Sequence, residues 1–212
     1  MCRVWGPRQN VPVADATEHW DHAYGAAGLS QVSWYESSPR MSLEIVAALG
    51  VEHDVSVVDV GGGTSTLAAH LLAGGFTDVS VLDVSAVALR NTPAGGDLTL
   101  LRQDVLTWQP ERQYGLWHDR AVLHFFTREA EQQAYIRALN AAVMPGGFVI
   151  LATFALDGPD QCSGLPVTQY SADDLVRLVG PEYVLHVERR DVHLTPRAVR
   201  QPFTWVGFKR VG

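Results

Sequence analysis

The chain has 212 residues, of which 47% are hydrophobic and 18% are charged, and its formal net charge at pH 7 is −7. This length and composition suit a single globular domain with a well-filled core. The negative charge and the lack of a basic stripe argue against general nucleic-acid binding, which depends on Lys and Arg to neutralise phosphates. The apolar stretches are far shorter than the ~20 residues that span a bilayer, so we expect no membrane association and a cytoplasmic location.

The amino-terminal segment is predicted to be helical and to precede the main sheet. Residues 1–16 lack the apolar core of a secretory signal, so we expect a loose leader followed by a single domain over residues 17–212. Thr17 is a suitable cap for a short helix that carries Trp20 and Tyr24.

A second helix is predicted after the segment SWYESSP (Ser33–Pro39), from Met41 to Leu49, with Gly50 at its end. The predicted strands that follow cover residues 55–60, 79–83, 98–103, 115–120 and 148–154. Helices are predicted over residues 64–73 and 85–91, from Thr127 to the break at MPGG (Met144–Gly147), and after a cap at Ser171. Two β-rich runs, 183–194 and 202–209, close the chain. This alternation predicts an α/β fold with a mostly parallel sheet.

A glycine turn follows the first predicted strand and is the strongest functional signal. Gly61, Gly62 and Gly63 allow a ligand to approach the backbone closely, because no Cβ stands in the way. Asp83 ends the next strand, where its carboxylate could accept hydrogen bonds from ribose hydroxyls. Ligands bind at the carboxyl ends of the strands in such sheets, so the two elements predict a nucleoside site.

The residues around this turn do not favour a dinucleotide. The fingerprint G-x-G-x-x-G requires a third glycine at position 66, where the chain has Thr66. Asp59 lies on the strand just before the turn, where it would repel a phosphate and attract an ammonium group. The sequence therefore favours a ligand without phosphate, and an NAD-dependent oxidoreductase is the weakest alternative.

The segment Asp59–Thr64 (DVGGGT) resembles the first motif of the class I S-adenosylmethionine-dependent methyltransferases. The resemblance covers about residues 40–210 and implies a three-layer, Rossmann-like fold. Its seven-stranded sheet would be mostly parallel, with the last strand antiparallel beside the fifth. HWDHAY (His19–Tyr24), SWYESSP and DRAVLHF (Asp119–Phe125) are further similar to a bacterial branch of small methyltransferases that are likened to thiopurine, tellurite and protein lysine methyltransferases.

The resemblance implies S-adenosylmethionine as the cofactor and eight cofactor-binding residues: Asp59, Gly61, Gly63, Asp83, Val84, Asp104, Val105 and His118. Asp59 would hold the amino group and Asp83 the ribose, while the backbone of the glycine turn follows the methionine part. Asp104 would accept a hydrogen bond from the adenine amine, with the alternative that it is a loop acid or a helix cap.

The resemblance also implies a lid over residues 17–40 and three candidate catalytic residues: Trp34, Tyr35 and His124. Aromatic faces attract a sulfonium and exclude water, although Trp34 could instead anchor the first helix. His118 and His124 are both candidates for proton handling, since an imidazole titrates near neutral pH. Lining the cofactor cleft is the favoured alternative for His118, and packing between its neighbours is the alternative for His124.

Two further features of the acceptor side carry weaker expectations. Asp119 and Arg120 could form a structural ion pair. Cys162, in the loop from Asp157 to Pro166, is expected to be a packing residue rather than a reactive one. The two cysteines, Cys2 and Cys162, form no zinc pattern, and we expect no metal site.

These observations predict an enzyme that transfers a methyl group to an acceptor, which we expect to be a small molecule. Protein lysine methylation and cofactor binding without turnover remain alternatives. The sequence leaves open the acceptor, the atom that is methylated and the oligomeric state.

Overall fold

The computed structural model describes residues 13–26, 31–93 and 96–212. Residues 1–12, most of the expected leader, lie outside the described residues. The helices are α1 (Val13–Ala26), α2 (Arg40–Leu49), α3 (Leu67–Ala73), α4 (Ala86–Arg90), α5 (Glu129–Ala142) and α6 (Ala172–Val179), with a 3₁₀ turn at Leu123–Phe125. The strands are β1 (Val57–Val60), β2 (Val79–Asp83), β3 (Leu98–Arg102), β4 (Tyr114–Arg120), β5 (Val143–Phe154), β6 (Gln161–Cys162), β7 (Leu165–Pro166), β8 (Tyr183–Leu194) and β9 (Arg200–Arg210).

Seven strands form one sheet in the order β3-β2-β1-β4-β5-β9-β8. The first five are parallel to one another, and β9 lies antiparallel between β5 and β8. This architecture confirms the predicted Rossmann-like sheet with its antiparallel last strand.

The sheet is covered by helices on both faces, which explains why its central strands are apolar throughout. Every residue of β1 and β2 is buried. On one face, Tyr135 and Leu139 of α5 pack with Leu175 of α6. On the other face, Ile45 of α2 packs with Leu67 of α3. Strands that are buried on both faces read as continuous apolar runs, so the sequence marks their positions clearly.

The bounds differ from the predicted ones at several helix and strand ends, and three of these differences concern a predicted cap or break. Thr17 lies inside α1, which begins at Val13, and is therefore not its cap. Arg128, not Thr127, precedes α5. MPGG does not end the helix before a separate strand, because β5 already begins at Val143, whose backbone is paired with Tyr114 before a register shift.

A small hairpin, β6–β7, was not predicted. Its two turn residues, Ser163 and Gly164, have φ angles of +52° and +78°. Positive φ at both central residues is typical of the tight turns that join two-residue hairpins. In the described ranges, we find no helix that is both long and apolar enough to cross a membrane.

Candidate functional site

A cavity of about 550 Å³ lies at the carboxyl ends of the central strands. Its floor contains the glycine turn after β1, the end of β2 and the end of β4, while α1 and the segment 33–36 cover it. The topology explains the position, since β1 and β4 are neighbours at the centre of the sheet. Seven of the eight predicted cofactor-binding residues line this cavity; Gly63, the eighth, belongs to the same turn.

The glycine turn has the backbone shape that only glycine adopts easily. Gly61 and Gly63 have φ angles of +65° and +41°, where L side chains are strained. A Cβ on Gly61 would also lie 2.0 Å from a methyl carbon of Val122. A side chain at either position would therefore strain the turn that forms the cavity floor.

Asp59 is held by a short hydrogen-bonded chain. Its Oδ1 lies 2.7 Å from Nδ1 of His118, and Nε2 of that ring lies 3.0 Å from the hydroxyl of Ser42 on α2. Both side chains of the Asp59–His118 pair are only 3% exposed. The second carboxylate oxygen, Oδ2, is buried and has no hydrogen-bond partner. A buried carboxylate oxygen without a partner calls for a donor, and an ammonium group supplies one.

Asp83 is a second buried carboxyl group with free accepting capacity. Its Oδ1 accepts a hydrogen bond of 2.8 Å from the backbone N–H of Ser85. Burial, together with the negative charges of Asp59 and Asp21, raises the pKa of Asp83 to about 7. A ligand that donates hydroxyl groups to this carboxylate would favour its ionised form.

The residues after β2 and β3 line the same cavity. Val84 follows Asp83, and Val105 is buried at the end of the next strand. Asp104 also lines the cavity, but its Oδ1 already accepts a hydrogen bond of 2.9 Å from the N–H of Leu106. This local bond agrees with the alternative that Asp104 is a loop acid or a helix cap, because it uses Oδ1. The other carboxylate oxygen, Oδ2, remains available to accept a hydrogen bond from a ligand.

Aromatic rings form part of the roof of the cavity. Trp34 and Tyr35 both line the cavity. The Trp34 ring centroid lies 5.9 Å from that of Trp20 and 5.4 Å from that of Tyr24, so it both lines the cavity and packs against α1. Phe125 extends this roof, with its centroid 5.1 Å from that of Trp20.

The segment 33–36 is held in place by side-chain contacts that the sequence did not reveal. Nη1 of Arg120 donates to the carbonyl of Trp34 over 3.0 Å, and its Nη2 lies 3.1 Å from the Glu36 carboxylate. Nε2 of His193 donates to the carbonyl of Ser33 over 2.8 Å. Burial alone would raise the pKa of Glu36, but His193 and Arg120 outweigh it and hold that pKa below its usual value. No local motif signals these contacts, because they join residues up to 160 positions apart.

The structure corrects the expectation that His124 is a base beside the acceptor. Its side chain is completely buried, packs against Phe125 and Phe154, and is not part of the cavity wall. Burial, with a contribution from the charge of Arg120, lowers the pKa of His124 to about 3. The ring is therefore neutral near pH 7, as the packing alternative requires.

Asp119 and Arg120 do not form the expected ion pair. The Asp119 carboxylate accepts hydrogen bonds from the hydroxyl of Tyr135 and from the backbone of Val122 and Leu123. Arg120 instead contacts the segment 33–36. Successive side chains of a strand point to opposite faces, so neighbours on β4 cannot meet in this way.

Cys162 lies in the β6 strand of the small hairpin and lines the cavity. Burial raises the pKa of its thiol, which keeps the thiol protonated. Among the described residues, no group of three or more His, Cys, Asp or Glu side chains is placed to hold a metal ion.

Comparison with known proteins yields matches in structure only. No protein-family model matches the chain, and no curated protein sequence matches it either. A S-adenosylmethionine-dependent methyltransferase from Anabaena variabilis superimposes with a TM-score of 0.74 over 99% of each chain, at 15% identity. The 1,6-didemethyltoxoflavin-N1-methyltransferase of Burkholderia thailandensis, solved with 1,6-didemethyltoxoflavin and S-adenosylhomocysteine, gives a TM-score of 0.73 over 99% of this chain and 94% of that one, at 18% identity.

A third match is the N-methyltransferase NodS of Bradyrhizobium japonicum in complex with S-adenosylhomocysteine. Its TM-score is 0.62 and its identity 12%, over 89% of this chain and 98% of that one. The chain thus has the fold of S-adenosylmethionine-dependent methyltransferases over nearly its whole length.

Proposed function

We propose that this protein binds S-adenosylmethionine and transfers its methyl group to a small-molecule acceptor. The observation that carries the proposal is the buried, unpartnered Oδ2 of Asp59 beside a glycine turn, with the Asp83 carboxyl group in the same cavity. In S-adenosylmethionine, the ammonium group would match Asp59 and the methionine chain would match the glycine turn. Its ribose diol would match the carboxyl group of Asp83. The fold that the chain shares with S-adenosylmethionine-dependent methyltransferases also supports the proposal.

The residues present fit this cofactor. Asp59 would hold its amino group, with His118 and Ser42 fixing the orientation of the carboxylate. Gly61 and Gly63 would let the methionine part lie against the backbone. Asp83 would accept the ribose hydroxyls. Val84, Asp104 and Val105 would border the adenine.

When it is bound, the cofactor supplies an electrophilic methyl group on a sulfonium sulfur. The protein then has to align the acceptor with this methyl group and to exclude water. Alignment provides proximity and the exclusion of water provides desolvation, and both accelerate the transfer. Trp34 and Tyr35 are placed to do so, since they lie in the roof above the cavity and Arg120 holds their backbone. We assign no general base, because His124 lies outside the cavity wall.

A small acceptor suits the cavity better than a protein side chain. The cavity, of about 550 Å³, has the size of a small-molecule site, and the cofactor and the acceptor would have to share it. The cavity is covered by α1 and by the segment 33–36, which Arg120 and His193 fasten to the sheet.

The proposal is tested first by ligand-induced stabilisation. S-adenosylmethionine and S-adenosylhomocysteine should each raise the melting temperature, because a ligand that binds the native state stabilises it by mass action. NAD and NADP should change it little, since Asp59 and Thr66 disfavour a pyrophosphate. Stabilisation by NAD alone would overturn the proposal.

The second test concerns turnover. The purified protein with methyl-labelled cofactor is offered panels of small thiols, phenols and amines, and separately a protein lysate. Label transfer to a small molecule is the expected result. Transfer to protein alone would favour the lysine alternative, and tight cofactor binding with no transfer would favour a binding module.

A further inference from the structure

The carboxylate of Asp21 ties helix α1 to the start of α4. Oδ1 of Asp21 accepts a hydrogen bond of 2.5 Å from the hydroxyl of Ser85 and one of 3.1 Å from the backbone N–H of Val87. The hydrogen bond from Ser85 and that from Val87 hold the pKa of Asp21 below its usual value. The carboxylate that fastens the lid is therefore ionised at neutral pH.

Ser85 connects this contact to the proposed ribose site. Its backbone N–H donates to Oδ1 of Asp83 over 2.8 Å, and its hydroxyl oxygen accepts the N–H of Ala88 over 3.0 Å. The same residue thus holds the carboxyl group of Asp83 on one side and the lid carboxylate of Asp21 on the other.

Tyr24 lies three residues after Asp21 on the same helix and reaches the opposite side of Asp83. The Cβ position that Gly63 would have lies 2.6 Å from the Tyr24 hydroxyl oxygen and 2.8 Å from Oδ2 of Asp83. Tyr24 lines the cavity while only 8% of it is exposed, and its ring packs against Trp34. The hydroxyl of a lid residue and the carboxyl group of Asp83 therefore flank the same glycine.

We infer that α1 is part of the cofactor site: Tyr24 contacts the cofactor beside Asp83 and Gly63, and Asp21 is the positioning residue that holds Tyr24 there. The inference rests on the proposed function and adds a binding residue to it. Since α1 covers the cavity, the cofactor enters while α1 is undocked and is retained once the Asp21 contacts have formed. Docking of α1 and cofactor affinity must then favour each other reciprocally.

The test uses the full-length chain, with S-adenosylhomocysteine as the ligand. Affinity is measured by calorimetry and dissociation by stopped-flow displacement for wild type, Asp21→Asn and Tyr24→Phe. Asp21→Asn keeps an accepting oxygen but removes the charge that strengthens both hydrogen bonds, and Tyr24→Phe removes a hydroxyl; each loss corresponds to a change of about tenfold. We expect both variants to bind about tenfold more weakly, with the faster dissociation in Asp21→Asn.

Matched controls separate this role from general stability. Asp173→Asn removes an exposed carboxylate at the start of α6, and Tyr183→Phe removes a hydroxyl that donates to Asn140 away from the cavity. Neither control should change affinity by more than twofold. Melting temperatures verify that all variants are folded.

Hydrogen exchange provides a readout besides affinity. In wild type, S-adenosylhomocysteine should slow exchange of the amides of residues 16–25, and this protection should be smaller in Asp21→Asn. If wild type binds the ligand but both variants bind within twofold of it with unchanged exchange in α1, the inference is overturned while the proposed function stands. If wild type does not bind, the proposed function itself fails.

Discussion

Asp83 and Asp119 are buried carboxyl groups at the carboxyl ends of β2 and β4, which lie on either side of β1, but they are satisfied to different degrees. Asp119 accepts three hydrogen bonds, from Tyr135, Val122 and Leu123, and burial raises its pKa to about 6. The side chain of Asp83 accepts hydrogen bonds from the backbone of Ser85 and Val84, and burial raises its pKa to about 7. Asp119 therefore stabilises the local fold, whereas Asp83 can still accept hydrogen bonds from a group in the cavity.

The raised pKa of Asp83 predicts that cofactor affinity depends on pH. Ribose hydroxyls favour the ionised carboxylate, so binding to the protonated form costs the energy of removing the proton. The affinity for S-adenosylhomocysteine should be constant above pH 7 and should fall by up to about tenfold for each pH unit below it. Calorimetry in two buffers of different ionisation enthalpy should detect proton release on binding near pH 6.

Asp83→Asn is the control for this dependence. The variant should bind at least about tenfold more weakly than wild type at pH 8. Its remaining affinity should not vary with pH in this range. A wild-type affinity that is flat from pH 5.5 to 8 would contradict the assignment of Asp83 to the ribose.

His124 makes a separate prediction about acid stability. Its pKa is about 3 in the folded protein, against 6.5 in a free side chain, so the unfolded chain binds a proton that the folded chain does not. Stability is therefore lost as pH falls below 6.5, by up to about 1.4 kcal/mol per pH unit until pH 3. His124→Leu should make the free energy of unfolding less sensitive to acid in this window.

Denaturant titrations between pH 7 and 4 measure this effect. His186→Leu alters an exposed imidazole on β8 and serves as the comparison. Equal acid sensitivity of wild type and His124→Leu would show that His124 is not neutral and buried in solution.

The roof of the cavity is formed by two separate parts of the chain, α1 and the segment 33–36. Arg120 of β4 and His193 of β8 fasten the second part through the carbonyls of Trp34 and Ser33. Since these contacts use backbone atoms, the rings of Trp34 and Tyr35 remain available to the cavity. The arrangement keeps both aromatic side chains in the lining of the cavity.

Trp34→Ala should distinguish the two forms of the cofactor. A cation–π contact with a sulfonium contributes about 0.5–2 kcal/mol, and S-adenosylhomocysteine has no such charge. The affinity for S-adenosylmethionine should fall by about 2- to 30-fold, while that for S-adenosylhomocysteine changes by only a few-fold. Tyr35→Phe keeps the ring and should leave the ratio of the two affinities unchanged. Equal losses for both ligands would return Trp34 to a packing role.

The local signals in the sequence predicted the elements but not the contacts between them. Strand β2 (Val79–Asp83) has the predicted bounds because a buried parallel strand is a continuous apolar run. The cap at Ser171 is correct because its hydroxyl accepts the N–H of Asp174, a bond within one turn. Strand β5 begins earlier than predicted because its start depends on pairing with β4.

The candidate site shows the same division. The glycine turn, Asp59 and Asp83 lie where the sequence placed them, because each follows directly from a strand end. Glu36 and His193 could not be found in this way, since their roles come from distant partners. His124 lies next to site residues in sequence, yet the 3₁₀ turn at Leu123–Phe125 turns its ring into the core.

Burial of the Asp83 carboxyl group lowers the stability of the whole folded molecule at neutral pH. The folded-state pKa lies above the value of 3.8 of a free side chain, so the buried group destabilises the folded protein increasingly as pH rises from about 4 to 7. Without ligand, Asp83→Asn should therefore raise the free energy of unfolding more at pH 8 than at pH 5, by on the order of 2 kcal/mol. Urea titrations at the two pH values measure the difference. An equal effect at both would indicate that Asp83 titrates normally.

The position of β9 has a consequence for how the chain is made. This strand is the last in chain order, yet it lies between β5 and β8, which are synthesised before it. Until residues 200–210 have left the ribosome, β5 can present an unpaired edge that includes the apolar run Phe148–Phe154. Open apolar edges template intermolecular pairing, so a nascent chain halted before Arg200 would be prone to aggregate and would depend on chaperones.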